Sequence, residues 1–180
     1  MQPPSNATQR AALEGFIAAR FQRAYGATLT HFLPHLLGLR DGAGEWQAAV
    51  GYADAAAGPL FLEQYLDGPV EEVLAQALAR PIERRRVVEV GNFAAARAGV
   101  ARRLIPALAA RLRELGFEVA VFTATRELRN AFLRLKLWPL VLAPADPARL
   151  RAGVGAWGSY YAHRPAVMGG RIADCLLRFE

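Results

Sequence analysis

A chain of 180 residues and 19.6 kDa is the size of one domain and long enough to bury a sizeable core, which argues against a two-domain enzyme or a long repeat array. Apolar residues make up 53% and charged residues 21%, proportions that exclude a disordered chain, a collagen-like repeat and a disulfide scaffold. The 22 basic residues, all arginine except Lys136, outnumber the 16 acidic ones to give +6, an excess that suits nucleic acid, an acidic membrane surface or a phosphorylated cofactor equally.

Thr8 to about Tyr25 reads as a helix, with Ala12, Phe16, Ala19 and Arg23 along its faces and Gly26 where a helix stops. Two strands come next, from about Thr30 to Leu39 and from Trp46 to Ala53. The Asp41-Gly42 pair between them is a strong hairpin signal, and Pro34 marks an edge or a break. Gly58-Pro59 opens a helical segment, Leu60 to Ala79, that stops and restarts at Asp67-Gly68-Pro69. Arg86 to Phe93 is short and β-branched, hence a strand, and Ala101 to Leu115 is an amphipathic helix with Leu104, Ile105, Leu108, Leu112 and Leu115 on one face. After Gly116, the run from Phe117 to Thr123 is nearly all apolar, as in a strand covered on both sides. A helix from about Arg126 to Leu137 turns Leu128, Ala131, Phe132 and Leu135 inward, and Leu140-Val141-Leu142 supplies another strand. From about residue 145 onward the chain is rich in Gly, Pro and aromatics without a clear period. The expectation is a single α/β domain over residues 1–180, a mixed central sheet flanked by helices, with a βαβα unit in its second half.

Cys175 stands alone, so neither an intrachain disulfide nor a cysteine-based zinc site can be assembled. The N-terminus lacks a basic start followed by an apolar stretch, because Glu14 and Arg20 interrupt the first hydrophobic segment; a cytoplasmic protein is expected. No run of about 18 apolar residues occurs, which excludes a transmembrane helix on length. His31 and His35 have the spacing of helix-borne metal ligands, but Pro34 lies between them and no third ligand is indicated, so no metal is expected.

The stretch from Val90 to Arg103 carries a strand through a loop of small residues into a helix start. Small side chains let a ligand approach the backbone, and helix-start amides beside Arg97 and Arg102 suit a pyrophosphate. It is neither a Walker loop nor a G-x-G-x-x-G fingerprint, and a tight turn packed with alanines is the structural alternative. The loop resembles motif A of the GNAT (N-acetyltransferase) fold, whose pattern Gln/Arg-x-x-Gly-x-Gly/Ala holds the pyrophosphate of coenzyme A. Gly99-x-Ala101 matches its second half, whereas Ala96 occupies the Gln/Arg position and the arginine comes one residue later, at Arg97. Thr125 to Leu137 is similar to motif B, with Asn130-Ala131 and Phe132 in place of the usual tyrosine; that removes the phenol which often protonates the departing thiolate.

A wider match runs through Phe16-Ile17 to Tyr25-Gly26-Ala27, His31-Phe32-Leu33-Pro34, Pro59 to Asp67, Val88 to Ala94, Phe122 to Thr125, Leu128 to Phe132 and Trp157-Gly158-Ser159-Tyr160-Tyr161. These blocks resemble the bacterial thermostable hemolysin family. The family name records red-cell lysis, while the order of elements and the two motifs imply a GNAT-like acyltransferase fold. The layout from Ala48 to Asp67, followed by Glu89 to Phe93, is also similar to acyl-homoserine-lactone synthases, which take acyl groups from acyl-carrier protein or coenzyme A.

The resemblance implies an acyl donor, acyl-CoA or the phosphopantetheine of acyl-carrier protein, held by Asn92, Phe93, Ala94, Arg97, Ala98, Gly99, Val100, Ala101, Arg102, Thr125 and Phe132. Glu89, an acid among valines on the strand leading to that loop, is the candidate general base for an amine; a salt bridge to Arg84, Arg85 or Arg86, or a solvent-facing edge position, is its structural alternative. Glu63 and Asp67, four apart, are candidates to frame an acceptor amine, and Trp157, Tyr160 and Tyr161 to line an acyl or acceptor pocket. The expected function is acyl transfer to an amine or lipid precursor by a monomer or homodimer; a membrane-damaging hemolysin without enzymatic activity is the alternative. Nucleic-acid binding is not expected, since the arginines are dispersed over several elements.

Overall fold

A computed structural model describes residues 1–97 and 99–179. Helix α1 (Ala7–Tyr25) starts where the Asn6 side chain accepts the Gln9 amide at 2.9 Å and ends at Gly26, left-handed at φ 66. It lays Leu13 and Ile17 on the hairpin formed by β1 (His35–Arg40) and β2 (Trp46–Asp54). The first strand starts after Pro34, not at Thr30 as the sequence suggests. Residues ahead of it are tied elsewhere: the Leu33 amide donates to the Asn92 side chain at 2.8 Å, and Arg10 donates to the Leu33 and Pro34 carbonyls. The segment expected to be helical from Leu60 divides at Asp67-Gly68-Pro69 into a 3-10 turn, Phe61–Tyr65, and α2 (Val70–Leu78).

Then come β3 (Val87–Ala95), α3 (Ala101–Glu114), β4 (Val119–Ala124), α4 (Arg126–Arg134), β5 (Leu140–Pro144), β6 (Ala166–Arg171) and α5 (Ile172–Leu177). The six strands form one mixed sheet in the order β1-β2-β3-β4-β6-β5, in which only β3 and β4 run parallel. On one face α1, α2 and the 3-10 turn cover Ala49, Ala94, Val87, Val119, Val121 and Val167. On the other, Leu104, Leu108 and Leu112 of α3 meet Ile172 and Leu176 of α5 over Val50 and Val88. No helix among the described residues is long and apolar enough to cross a membrane.

Strand β3 is irregular along both of its edges. Between Gly91 and Ala94 it advances three residues while β2 advances two, a bulge with Asn92 left-handed at φ 50. On the other side its parallel ladder with β4 covers only Val87–Val90 against Val119–Phe122, so the strands part although β3 runs on to Ala95.

α4 departs from expectation: none of its residues is fully buried, and Leu128, Ala131 and Phe132 line a cavity, with Leu128 also packed on Ala124, Ala166 and Met168. Leu115, expected on the inner face of α3, falls past the helix end and is 41% exposed. The last stretch contributes β6, an unanticipated strand in the interior of the sheet. Its Gly169-Gly170 pair carries no side-chain pattern, and a Cβ at Gly169 would lie 2.9 Å from Leu74.

Candidate active site

Along β3 the alternation Val87-Val88-Glu89-Val90 sends Val88 and Val90 toward α3 and Glu89 to the opposite face, beside the 3-10 turn. Glu89 is 4% exposed, and its carboxylate accepts the Phe61 amide at 2.7 Å and the Leu62 amide at 3.2 Å. Burial outweighs those two donors and pushes its pKa up to about 7, the range in which a carboxyl exchanges protons near neutrality.

Among the described residues no arginine pairs with Glu89. Arg84 instead binds Glu63 at 2.7 and 2.9 Å, Glu71 at 2.7 Å and the Ala55 and Gly58 carbonyls, while Arg85 goes to Glu83 and Arg86 to Glu118. Glu63 also accepts the amides of Leu60 and Val70, closing both ends of the turn that presents Phe61 and Leu62 to Glu89. Burial works against the Glu63 carboxylate, but Arg84 and the two amides prevail and hold its pKa at about 2. Glu63 is thus engaged by Arg84 and by both ends of the turn, and Asp67 pairs with Arg149 at 2.8 Å.

Where β3 and β4 part, a cavity of ≈ 610 Å³ is lined from both faces of the sheet. On the α1 face its wall carries Tyr25, His31, Phe61, Trp157 and Tyr160 together with Glu89; on the α3 face it is aliphatic, with Ile105, Leu108, Leu112, Ala120 and Ile172. The aromatic wall depends on Gly158. A Cβ there would collide with the Tyr25 carbonyl oxygen, and φ is 52; with glycine, the Ser159 amide reaches that carbonyl at 2.8 Å and the Thr28 amide reaches Ala156 at 2.7 Å.

Of the expected donor-binding residues, Asn92, Phe93, Arg97, Gly99, Thr125 and Phe132 line the cavity. Asn92 spends its side-chain oxygen on the Leu33 amide, and Thr125 caps α4 by accepting the Leu128 amide at 3.4 Å. Phe132 rests on Phe122 with ring centroids 5.0 Å apart. Ala94 does not face the cavity: the bulge turns it over, and it is buried against α1. Val100 packs with the α3 cluster and Arg102 is exposed, and neither lines the cavity. Ala98 and the side chain of Ala101 lie outside the described residues.

Tyr161 stays behind the wall, its hydroxyl 2.5 Å from that of Tyr65, while Trp157 and Tyr160 line the cavity as expected. Sequence reasoning missed Tyr25, His31 and Phe61, which sit at a helix end and in irregular segments where no period marks an inward face. The two histidines part company, His31 stacking on Phe61 and His35 on Tyr52. Cys175 lines the cavity at the α5 end, its thiol pushed up to about 11 by burial, which leaves it protonated and inert at neutral pH.

A family model described as thermostable hemolysin matches residues 4–176. Among curated proteins none matches. Solved structures do. FeeM, an N-acyl amino acid synthase from uncultured soil microbes, has a TM-score of 0.64 at 13% identity, over 98% of this chain and 97% of its own. The AHL synthase LasI has 0.60 at 12% identity, over 93% and 85%. MesI, a CoA-dependent acyl-homoserine lactone synthase, has 0.53 at 12% identity, over 95% and 87%. At such identities the likeness establishes the fold, which is GNAT-like.

Proposed function

The chain belongs to the thermostable hemolysin family, and from the cavity it carries we propose that it is a GNAT-like acyltransferase, moving an acyl group from the phosphopantetheine thioester of coenzyme A or acyl-carrier protein to an amine or lipid precursor. The observation that carries this reading is Glu89, a buried carboxyl with a pKa near 7 in the wall of the cavity that opens between β3 and β4. An attacking amine passes a proton to Glu89 as its nitrogen bonds to the thioester carbon; the carbon–sulfur bond breaks, and the thiolate takes up a proton. With a phenylalanine at position 132, that last proton comes from elsewhere than the usual motif B phenol.

The edge of β3 that faces β4 has no ladder partner beyond Val90, which suits an extended, amide-bearing arm laid along it. Arg97 and the start of α3 suit the anionic end of the donor, and the aliphatic wall of Ile105, Leu108 and Leu112 suits an acyl chain rather than a bare acetyl group. Coenzyme A, acyl-CoA or acyl-carrier protein is expected to raise the melting temperature by mass action, and acyl-CoA with an acceptor to release free thiol. No shift with any carrier would remove the reading.

Gly99→Asp is expected to abolish donor binding. Gly99 has φ +90 with nothing within 4 Å of its Cβ direction, so aspartate adds a charge facing the donor's phosphates at a backbone cost of about 1 kcal/mol. Calorimetry with coenzyme A and a melting curve on the same preparation test this; full affinity in the variant would remove the loop from the site.

The family's lytic phenotype is then indirect, through an acylated product. Purified protein added to dye-loaded vesicles is expected to cause no leakage on its own. Rapid, stoichiometric leakage without an acyl donor would favour the purely membrane-damaging alternative.

A further inference from the structure

We infer that the acceptor is a cationic amine without a carboxylate, seated with its ammonium among Tyr25, His31, Phe61, Trp157 and Tyr160 and against Glu89. The inference rests on the acyltransferase reading for the amine's fate, though not for its binding. The five rings form a connected arc: His31 lies 5.9 Å from Phe61, Phe61 5.9 Å from Trp157, Trp157 5.2 Å from Tyr160 and Tyr160 5.2 Å from Tyr25, and every member lines the cavity. Ring faces attract an ammonium, most strongly when water is excluded. Burial raises the pKa of both Tyr25 and Tyr160, so the phenols stay neutral and place no competing charge in the arc.

Two carboxyls flank the arc. Glu89 stands at the β3 side, and at the other end Glu127 binds His163, whose ring lies edge-on to Tyr25 at 5.2 Å. The cavity's arginines lie elsewhere: Arg97 precedes α3, Arg134 ends α4 and Arg171 is paired to Asp174. Of the arginines on neighbouring elements, Arg10 pairs with Glu14 and the Leu33 and Pro34 carbonyls, Arg84 with Glu63 and Glu71, Arg149 with Asp67, and Arg129 donates to the Arg164 carbonyl. In a chain of net charge +6, an aromatic arc flanked by two carboxyls, with none of its five members an arginine or lysine, favours an ammonium over a carboxylate. An amino-acid acceptor would bury its carboxylate there without a partner.

Matched pairs that differ only by the carboxylate test this: tyramine against tyrosine, histamine against histidine, cadaverine against lysine. Isothermal titration calorimetry without donor is expected to show the amine binding at least tenfold more tightly than its amino acid in one or more pairs. Trp157→Leu should then weaken that amine about tenfold or more while Trp157→Phe, which keeps a ring face, largely restores it; unchanged coenzyme A affinity reports that both variants are folded. The inference is overturned if neither member of any pair binds, if the amino acid binds as tightly in every pair, or if Trp157→Leu leaves amine affinity intact. Thiol release from dodecanoyl-CoA separates it from the parent reading. An amine that binds as expected but never draws thiol from any donor would leave the amine site standing and remove the transferase. Equal turnover of tyrosine and tyramine would keep the transferase and remove the amine specificity.

Discussion

Glu89→Gln is expected to slow acyl transfer by about 10²–10⁴-fold with donor affinity nearly unchanged, the range that a positioned general base supplies. Gln keeps the size and still accepts one of the Phe61 and Leu62 amides, so the turn above it should survive. In the parent protein the rate should climb with pH and level off above about 7, as the carboxyl ionises; the variant should lose that limb. Stability supplies an independent sign. Glu89 has a folded pKa raised above its unfolded value of 4.5, so its contribution is fully present below pH 4.5 and is lost as pH rises through about 7. The melting temperature of Glu89→Gln relative to the parent should therefore improve between pH 5 and 8, by the equivalent of up to about 3 kcal/mol. A full single-turnover rate in the variant would end the catalytic assignment.

Arg84→Met is expected to destabilise the protein by about 3 kcal/mol at pH 7, because it strands two carboxylates, Glu63 and Glu71, that share one guanidinium. The pH dependence has the opposite sign to that of Glu89. Glu63 is held at about 2, so its stabilising share is present above pH 4.5 and is lost as pH falls toward 2; the deficit of the variant should shrink across that window. The same substitution loosens the turn that supplies the Phe61 and Leu62 amides. Losing those donors removes what holds the Glu89 pKa down, so the activity that remains should move to higher pH. An unchanged melting temperature, or a destabilised protein with an unmoved pH profile, would show that Arg84 does not position Glu89.

The βαβα half of the domain is legible in the sequence because its residues obey a period: Leu104, Leu108 and Leu112 recur at helical spacing, and the apolar run from Phe117 to Thr123 can only be a covered strand. The Asp41-Gly42 hairpin is legible from turn chemistry. Glu89 stands out as an acid between valines, but its partners are backbone amides, which carry no residue signature, and so its tie to the 3-10 turn is not readable. The bulge at Asn92 defeats simple alternation: it exchanges the faces of Phe93 and Ala94, which is why the sequence pattern misplaces Ala94. α4 has the spacing of a core-facing helix because hydrophobic periodicity does not distinguish a core from a cavity. The aromatic wall is assembled from segments far apart in the chain, Tyr25 meeting Tyr160 and Phe61 meeting Trp157, which no local pattern joins.

β6 lies between β4 and β5, pairing with both, yet it is made last of the six strands. Until residues 166–171 leave the ribosome, β4 presents an open, apolar edge and β5 has nothing to pair with, although everything on the β1 side of the sheet can already assemble. The aromatic wall waits on the segment between β5 and β6, since Trp157 and Tyr160 reach the end of α1 only when the chain returns to it. Nascent chains of this topology carry an unsealed sheet until β6 emerges, and a ribosome stall or premature stop between β5 and β6 would release a product poised for edge-to-edge aggregation.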